Sequence, residues 1–381
     1  MDNISRVTFV VANIKKFRVP FYRMLHEDLK KHGIELNLVY SDPSAQEFKR
    51  NDSCRIDDVF GVRVRRFYFL DGRILLQFIN PIIIFRSDLV VVVQANGYLM
   101  NFLFLALNFL RLKKVAYWGH GYNHQGSLGS LSERLKRVLC TKVSWWFSYT
   151  QSTRNFLVDA GFDAQRISVI NNAVDTRGFS ECLARVSAND IASLRDRLGF
   201  DSTDIIGVYC GSLYLEKRLD FLLSTAEKIH AVFPRFKLVI VGDGPLSTFV
   251  KSFCATRSSV VYFGAAFGTE KVVIFKASSV FLHPGAVGLG ILDSFAAGLP
   301  FLTTRDARHG PEIAYLIDRE NGLFLDEHED GFASGVLSLI KDDGLLASLS
   351  AGALNSAAEI SIESMVATVS SGIRSCMIQK L

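Results

Sequence analysis

The stretch His283 to Pro300 reads HPGAVGLGILDSFAAGLP. Around one short helical pattern it gathers Gly285, Gly288, Gly290, Gly298 and a single carboxylate, Asp293. The spacing predicts a helical turn or two over Ile291 to Ala297, closed by Gly298 and then Pro300, the expected C-terminal punctuation. The opening Gly288-Leu289-Gly290 is unusual, because a helix start ordinarily prefers Ser, Thr, Asp or Asn. Glycine at that place lets something approach the backbone closely, and the first amides of a helix are unpaired donors suited to an anion. A phosphate group is the natural candidate.

Working outward, short β-branched runs alternate with longer amphipathic segments. Strand-like runs are Val7 to Val11, Leu36 to Tyr40, Leu89 to Val93 and Val115 to Trp118. A second series comprises Val169 to Ile170, Ile205 to Tyr209, Lys237 to Val241, Val260 to Phe263, Val280 to His283 and Phe301 to Thr304. Helical patterns lie between them over Pro20 to His32, Lys217 to Phe233 and Gly331 to Lys341, the first with proline opening its first turn. Such alternation predicts parallel sheets with helices on both faces. The series occurs twice, with a strand-poor seam near 172–203. The expected fold is therefore α/β, two Rossmann-like doubly wound domains facing one another. Their expected bounds are 1–168 and 169–355, with a helix over 356–381 packing back on the first domain. Ligands of such sheets sit beyond the carboxyl ends of the strands.

The composition bounds the function. A chain of 381 residues, 49% hydrophobic and 21% charged, is globular and large enough for two cores. Six cysteines without a Cys-x-x-Cys pair point to reduced thiols. The amino terminus lacks the pattern of a secretory leader, so a cytoplasmic location is expected. Ile74 to Ile84 and Tyr98 to Leu112 are apolar but short of the roughly twenty residues that span a bilayer. Residues 1–165 carry 23 Lys and Arg against 14 Asp and Glu, a net of +9, leaving −4 for the rest. A basic first half suits an anionic membrane face or acceptor, though ordinary solvated surface explains it equally. Tryptophans 145 and 146 within ERLKRVLCTKVSWWF, 133–147, could add a membrane-surface patch or belong to the core.

Three further stretches bear on the phosphate reading. GVYCGSLYLEKRLDFLL, from Gly207, is a strand, a tight turn at Gly211-Ser212, and then Lys217-Arg218 at a helix start, where cations can reach over the strand end. LVIVGDGPL, from Leu238, is turn chemistry at a strand end. VVYFGAAF, from Val260, ends at Gly264 beside Ala265 and Ala266, leaving room for a flat ring. Asp293, one helical turn past the glycines, can accept two hydroxyl hydrogen bonds from a ribose, or simply favour the helix dipole.

These elements, with VINNAVD from Val169 and PEIAYLIDRENGLF from Pro311, resemble in order and spacing the C-terminal domain of the retaining glycosyltransferases of family 4. That family has the GT-B fold. VAYWGHG (115–121) and FSYTQSTRNFLVDAG (147–161) resemble its first domain. The resemblance implies that Lys217 neutralises the donor diphosphate and that Gly288, Leu289 and Gly290 offer it their amides. It implies that Asp293 holds the ribose, that Gly264 and Ala266 border the base, and that His120 sits against the sugar. Gly211, Ser212, Arg218, Gly285 and Val287 complete the implied donor site. Where the family has paired glutamates eight positions apart, this chain has Gly285 and Asp293, and Ser212 replaces an arginine. The usual amino-terminal glycine pair is replaced by ANIKKFRVPFYR, in which Lys16 or Arg18 could meet an anionic acceptor.

No Asp-x-Asp occurs, so leaving-group stabilisation without a metal is expected, and no cofactor is implied beyond the nucleotide-sugar itself. The implied function is a retaining glycosyltransferase of cell-surface polysaccharide, such as lipopolysaccharide, synthesis. It would be peripheral to the cytoplasmic face of the inner membrane, act on a saccharide or polyprenyl-linked acceptor and bind no nucleic acid. A GT-B epimerase or hydrolase, or a non-catalytic partner subunit, are the alternatives.

Overall fold

The computed structural model describes residues 4–43, 53–70, 74–121 and 138–379. It divides into two compact units, one of residues 1–175 with 362–381, the other of residues 176–361.

The first unit is built on a seven-stranded parallel sheet. Its order is Ile167–Val169, Trp145–Ser148, Lys114–Gly119, Leu89–Val93, Ser5–Val10, Ile34–Tyr40, Gly61–Arg63. Strand Leu89–Val93 is a Leu/Val run buried along almost its whole length, and the last residues of Ser5–Val10 and Ile34–Tyr40 are buried consecutively rather than alternately, the pattern of a sheet covered on both faces. The chain leaves Ser5–Val10 toward Ile34–Tyr40 first and fills the other side later. Right-handed crossovers then put the helix Val19–Lys31 on one face and Leu99–Phe109 on the other. Helix Ile362–Ile378 packs beside Val19–Lys31, burying Met365, Val369 and Ile373.

The second unit carries a six-stranded parallel sheet ordered Val260–Gly264, Phe236–Val241, Ile205–Cys210, Val280–Leu282, Phe301–Thr303, Gly322–Phe324. Its core is continuous from Leu222 and Ile229 of helix Leu219–Val232 to Phe332 and Val336 of helix Glu329–Ile340. The strand order reverses between Ile205–Cys210 and Val280–Leu282, so the loops leaving these two neighbours diverge and open a crevice at their carboxyl ends.

Several expectations are corrected. Val169 ends a strand, Ile167–Val169, that pairs with Trp145–Ser148 in the first sheet. The first unit therefore runs to 175, not 168. The tail is two helices, Asp343–Glu359 in the second unit and Ile362–Ile378 in the first, so the crossing lies at 361/362 rather than 355/356. Asp343–Glu359 packs against Gly290–Ala296, and Leu354 lies over Gly298. Helix Leu219–Val232 starts two residues late because Arg218 adopts left-handed φ and ψ of 52° and 47°. The two tryptophans lie in the core. Trp146 donates to the Cys140 carbonyl at 2.7 Å and Trp145 to Ser168 Oγ at 3.0 Å. They form no surface patch, and the basic residues at 133–137, like His124, fall outside the described residues.

Candidate functional site

The site lies in the second unit, where the loops 211–218 and 283–290 leave the two strands flanking the reversal. Lys217 ends a short 3₁₀ turn, Leu215–Lys217, and is only 7% exposed. Its ammonium donates to the Ala286 carbonyl and lies 3.4 Å from His283 Nε2, with the Tyr214 ring centroid at 5.1 Å. Burial pushes its pKa down to about 8, against the opposing pull of Glu312 and Glu216. A cation so placed is costly unless an anion completes its surroundings.

The loop that meets it is held by its own backbone. The Ala286 amide donates to the Glu216 carbonyl at 2.8 Å. A Cβ on Gly285 would lie 2.3 Å from the Lys217 carbonyl carbon and 2.4 Å from the Glu216 oxygen. Gly285 thus contributes no functional group; it is glycine because two backbones touch. Gly288 is different, because a Cβ there would meet nothing within 4 Å. The space in front of it is open, and helix Gly290–Ala296 begins immediately beyond. A Cβ on Gly290 would lie 3.5 Å from the Cys210 carbonyl oxygen, at the end of strand Ile205–Cys210. Val287 is buried, its amide donating to His309 Nδ1 at 3.3 Å and its carbonyl accepting from the Gly310 amide at 2.9 Å.

Asp293 faces the same end of the sheet and pairs with Lys271 at 2.7 Å. Burial opposes the Lys271 charge, but Asp293 and Cys210 outweigh it and hold its pKa above the ordinary value. Beside this pair opens a cavity of about 320 Å³ lined by Gly211, Ser212, Gly242, Ala266, Phe267 and Lys271, among others. Gly264 precedes it with a φ of 86°, a conformation side chains resist, and Phe267 is 81% exposed at its rim. The GDG turn is structural. Gly242 and Gly244 lie so close to the carbonyls of Gly211 and Leu213 that neither could carry a side chain.

Lys217 is thus bonded to the loop that leads into Gly288, Leu289 and Gly290, while Asp293, through Lys271, borders the cavity at Gly211, Ser212 and Ala266. Arg218 is turned elsewhere. Its guanidinium donates to Thr304 Oγ1 at 3.2 Å and to Glu327 at 3.3 Å and stacks on Phe221, so it braces the loops and is not an available second cation. Lys271 and Phe267 escaped the sequence reading, which places Glu312 at a helix start close to the cleft. Glu312 is buried near Lys217, although helix capping accounts for its place in the sequence. Lys271 sits 22 residues from its partner on a separate helix, Gly268–Ala277, and no local spacing betrays it.

In the first unit, His120 follows strand Lys114–Gly119 between Gly119 and Gly121, both at positive φ. Its ring lies 4.5 Å from that of Tyr149, and its carbonyl accepts from Thr153 Oγ1 at 3.0 Å. Lys16 is exposed. Arg18 is buried and corrects the acceptor expectation. It donates to the Ala173 carbonyl at 2.9 Å and is boxed by the rings of Phe17, Trp118 and Tyr149. It lies 3.4 Å from Met365 Sδ, which makes it an internal fastening of both chain crossings.

Two parallel-sheet α/β units of this kind also make up the Anabaena protein HepE, solved in complex with UDP. It aligns with a TM-score of 0.65 and 14% identity over 97% of this chain and 100% of that one. The architecture is the GT-B fold. Two family models cover most of the sequence, "Glycosyltransferase Family 4" over residues 21–177 and "Glycosyl transferases group 1" over 204–342. The chain belongs to the group 1, family 4 glycosyltransferases. It is 29% identical over 214 residues to D-inositol 3-phosphate glycosyltransferase of Acidothermus cellulolyticus, covering 52% of this chain and 46% of that protein. With alpha-monoglucosyldiacylglycerol synthase of Acholeplasma laidlawii it shares 20% over 169 residues, 43% and 41% of the respective lengths. The chain spans less than half the length of these curated relatives.

Proposed function

We propose that this protein transfers a sugar from a nucleoside-diphosphate donor to a hydroxyl of a saccharide acceptor, carried on a polyprenyl lipid, with retention of anomeric configuration. One observation carries the reading: a buried ammonium, Lys217, is bonded to the very loop that leads into the open backbone at Gly288. A diphosphate laid along that loop meets Lys217 and the first amides of helix Gly290–Ala296. Its nucleoside then extends to Asp293 for the ribose and to the cavity at Gly264 and Ala266 for the base. In the reaction the bond from the anomeric carbon to the diphosphate oxygen breaks, its electron pair leaving with the diphosphate, as the acceptor oxygen bonds that carbon and passes its proton to the departing diphosphate. Negative charge grows on the departing diphosphate, and Lys217 is fixed where that charge develops. No step is assigned to a metal. The protein is proposed to work at the cytoplasmic face of the inner membrane in cell-surface polysaccharide synthesis.

UDP, held by the Anabaena neighbour, is the first probe. Titration calorimetry with UDP, followed by assay of UDP release from UDP-sugars, tests the reading. Binding abolished by Lys217→Ala, with slow donor hydrolysis in the wild type, supports it. The absence of carboxylate space at Gly285 favours a second reading, a partner subunit that binds nucleotide without turnover. UDP binding with no release from any donor, together with a stable complex with another transferase, establishes that alternative instead.

A further inference from the structure

Among the described residues, 26 large apolar side chains are exposed, and 13 of them fall between Phe67 and Leu112. That crowding singles out one face of the first unit. The hairpin Arg66–Phe69/Ile74–Gln77 leads through Phe78 into the short helix Pro81–Arg86, and helix Leu99–Phe109 follows the next strand. These pieces form one surface. Ile84 and Phe104 sink into the same core cluster, which places both helices on one side of the sheet. The Lys113 ammonium, just past the second helix, donates to the Phe85 carbonyl at 3.0 Å and the Ser87 carbonyl at 2.5 Å. The Phe67 and Phe78 rings meet edge to face at 5.3 Å.

What faces outward is the reverse of an ordinary soluble surface. Helix Leu99–Phe109 has no charged residue, and it turns Phe102, Leu103 and Phe109 to solvent at 40%, 50% and 78% exposure. Phe85, at 68%, continues the patch. Its borders are basic. Residues 61–114 hold eight Lys and Arg against two Asp, a net of +6, and Arg65, Arg86 and Arg111 are exposed. Beside Phe109 a cavity of about 190 Å³ is lined by Arg111, while the two other cations there are engaged internally, Lys114 with the Met377 and Gln379 carbonyls and Arg166 with Asp163. Aromatic and leucine side chains ringed by fixed positive charge are complementary to the headgroup and acyl boundary of an anionic bilayer.

We infer that this face, from the Arg66–Phe69 hairpin to Leu112, seats the protein on an anionic phospholipid surface, Phe85, Phe102 and Phe109 entering the interface while Arg86 and Arg111 meet headgroup phosphates. The inference takes up the lipid-carried acceptor of the proposed function, but it uses no residue of the nucleotide crevice, so the two fail separately.

The experiment is cosedimentation of the full chain with vesicles of phosphatidylcholine, alone or mixed equally with phosphatidylglycerol. The wild type is expected to bind the mixed vesicles and to leave them as salt rises to about 0.5 M. The variant Phe85→Ser/Phe102→Ser/Phe109→Ser changes only exposed side chains and is expected to lose about tenfold or more in partitioning. The milder Arg86→Gln/Arg111→Gln variant is expected to weaken binding to mixed vesicles alone. UDP titration reports folding and the crevice in each variant. A wild type that ignores anionic vesicles, or a triple variant that binds them as well as the wild type, overturns the inference. So does a wild-type dimer that the triple variant converts to monomer, since the face would then be a self-association surface.

Discussion

Gly285 and Lys217 touch through their backbones, and that contact explains why the chain lacks a carboxylate at the first position of its family's glutamate pair. With the Ala286 amide bonded to Glu216, the loop lies flat on the 216–217 peptide, and a side chain at 285 has nowhere to go. The same contact sets Lys217 against the Ala286 carbonyl, two residues before Gly288.

Gly285→Ala is therefore expected to destabilise the protein by roughly 1–3 kcal/mol through overpacking against an immobile backbone. Gly285→Glu, which restores the family's residue, is expected to be worse and to lose UDP binding. Chemical denaturation and UDP titration of the two variants check this; a Gly285→Glu variant of wild-type stability would show that the loop can lift.

Lys217 is held at a cost. A pKa depressed from 10.5 to about 8 means that ordering its ammonium in the fold costs on the order of 3 kcal/mol at neutral pH. Between pH 8 and 10.5 the unfolded chain binds the extra proton, so this contribution to stability rises with pH across that window. Lys217→Met is expected to keep or raise the melting temperature at pH 7 while abolishing UDP binding. Below about pH 8 the ammonium is present. Wild-type affinity for UDP should fall up to about tenfold per pH unit above that value, and calorimetry from pH 7 to 9.5 reads it directly.

The features legible in the sequence are those written in consecutive residues. Gly288 to Asp293 declare an open helix start because the glycines, the turn and the carboxylate are neighbours. Lys217 follows its strand and turn in one run. The parallel sheets follow from valine-rich segments that need cover on both faces. What escaped depends on contacts between distant segments. Lys271 acquires its role only where helix Gly268–Ala277 crosses Asp293. Arg218 beside Lys217 looks like a second phosphate ligand until the left-handed backbone turns it to Glu327, 109 residues on. Arg18 reads as an acceptor contact or solvent charge because two of the rings that box it come from Trp118 and Tyr149. Ile167–Val169 is too short to announce its sheet, and only pairing with Trp145–Ser148 decides it.

The Asp293–Lys271 pair bears on ribose recognition. With the Lys271 ammonium holding it in place at 2.7 Å, the Asp293 carboxylate has lone pairs left to accept the two ribose hydroxyls. Wild-type protein should prefer UDP to its 2′-deoxy analogue by about 1–3 kcal/mol. Asp293→Asn should weaken UDP binding and erase most of that preference. Lys271→Met should weaken both ligands while leaving part of the preference, because the carboxylate remains but is less firmly placed. Competitive titration of the two nucleotides against each variant measures the ratio, and an undiminished preference in Asp293→Asn would remove this residue from the ribose site.

His283 connects the site to the acid stability of the second unit. Its ring is buried against Tyr209, with Nε2 3.0 Å from the Ala286 carbonyl. Burial, reinforced by the Lys217 charge, pushes its pKa down to about 3 from 6.5. Between those values the unfolded chain carries a proton that the folded ring refuses, so acid favours unfolding: stability falls progressively as pH drops below 6.5 and levels off only near 3. Replacing His283 by Gln keeps a donor for Ala286 but cannot titrate. Thermal unfolding of the wild type should therefore show a steeper loss between pH 6.5 and 4.5 than that of His283→Gln, while the two converge in slope above pH 7. Because Ala286 also receives the Lys217 ammonium, the substitution should disturb UDP affinity as well, even at neutral pH where the histidine carries no charge. Parallel pH profiles with no difference in slope would mean that His283 is protonated inside the fold, which the contact with Lys217 opposes.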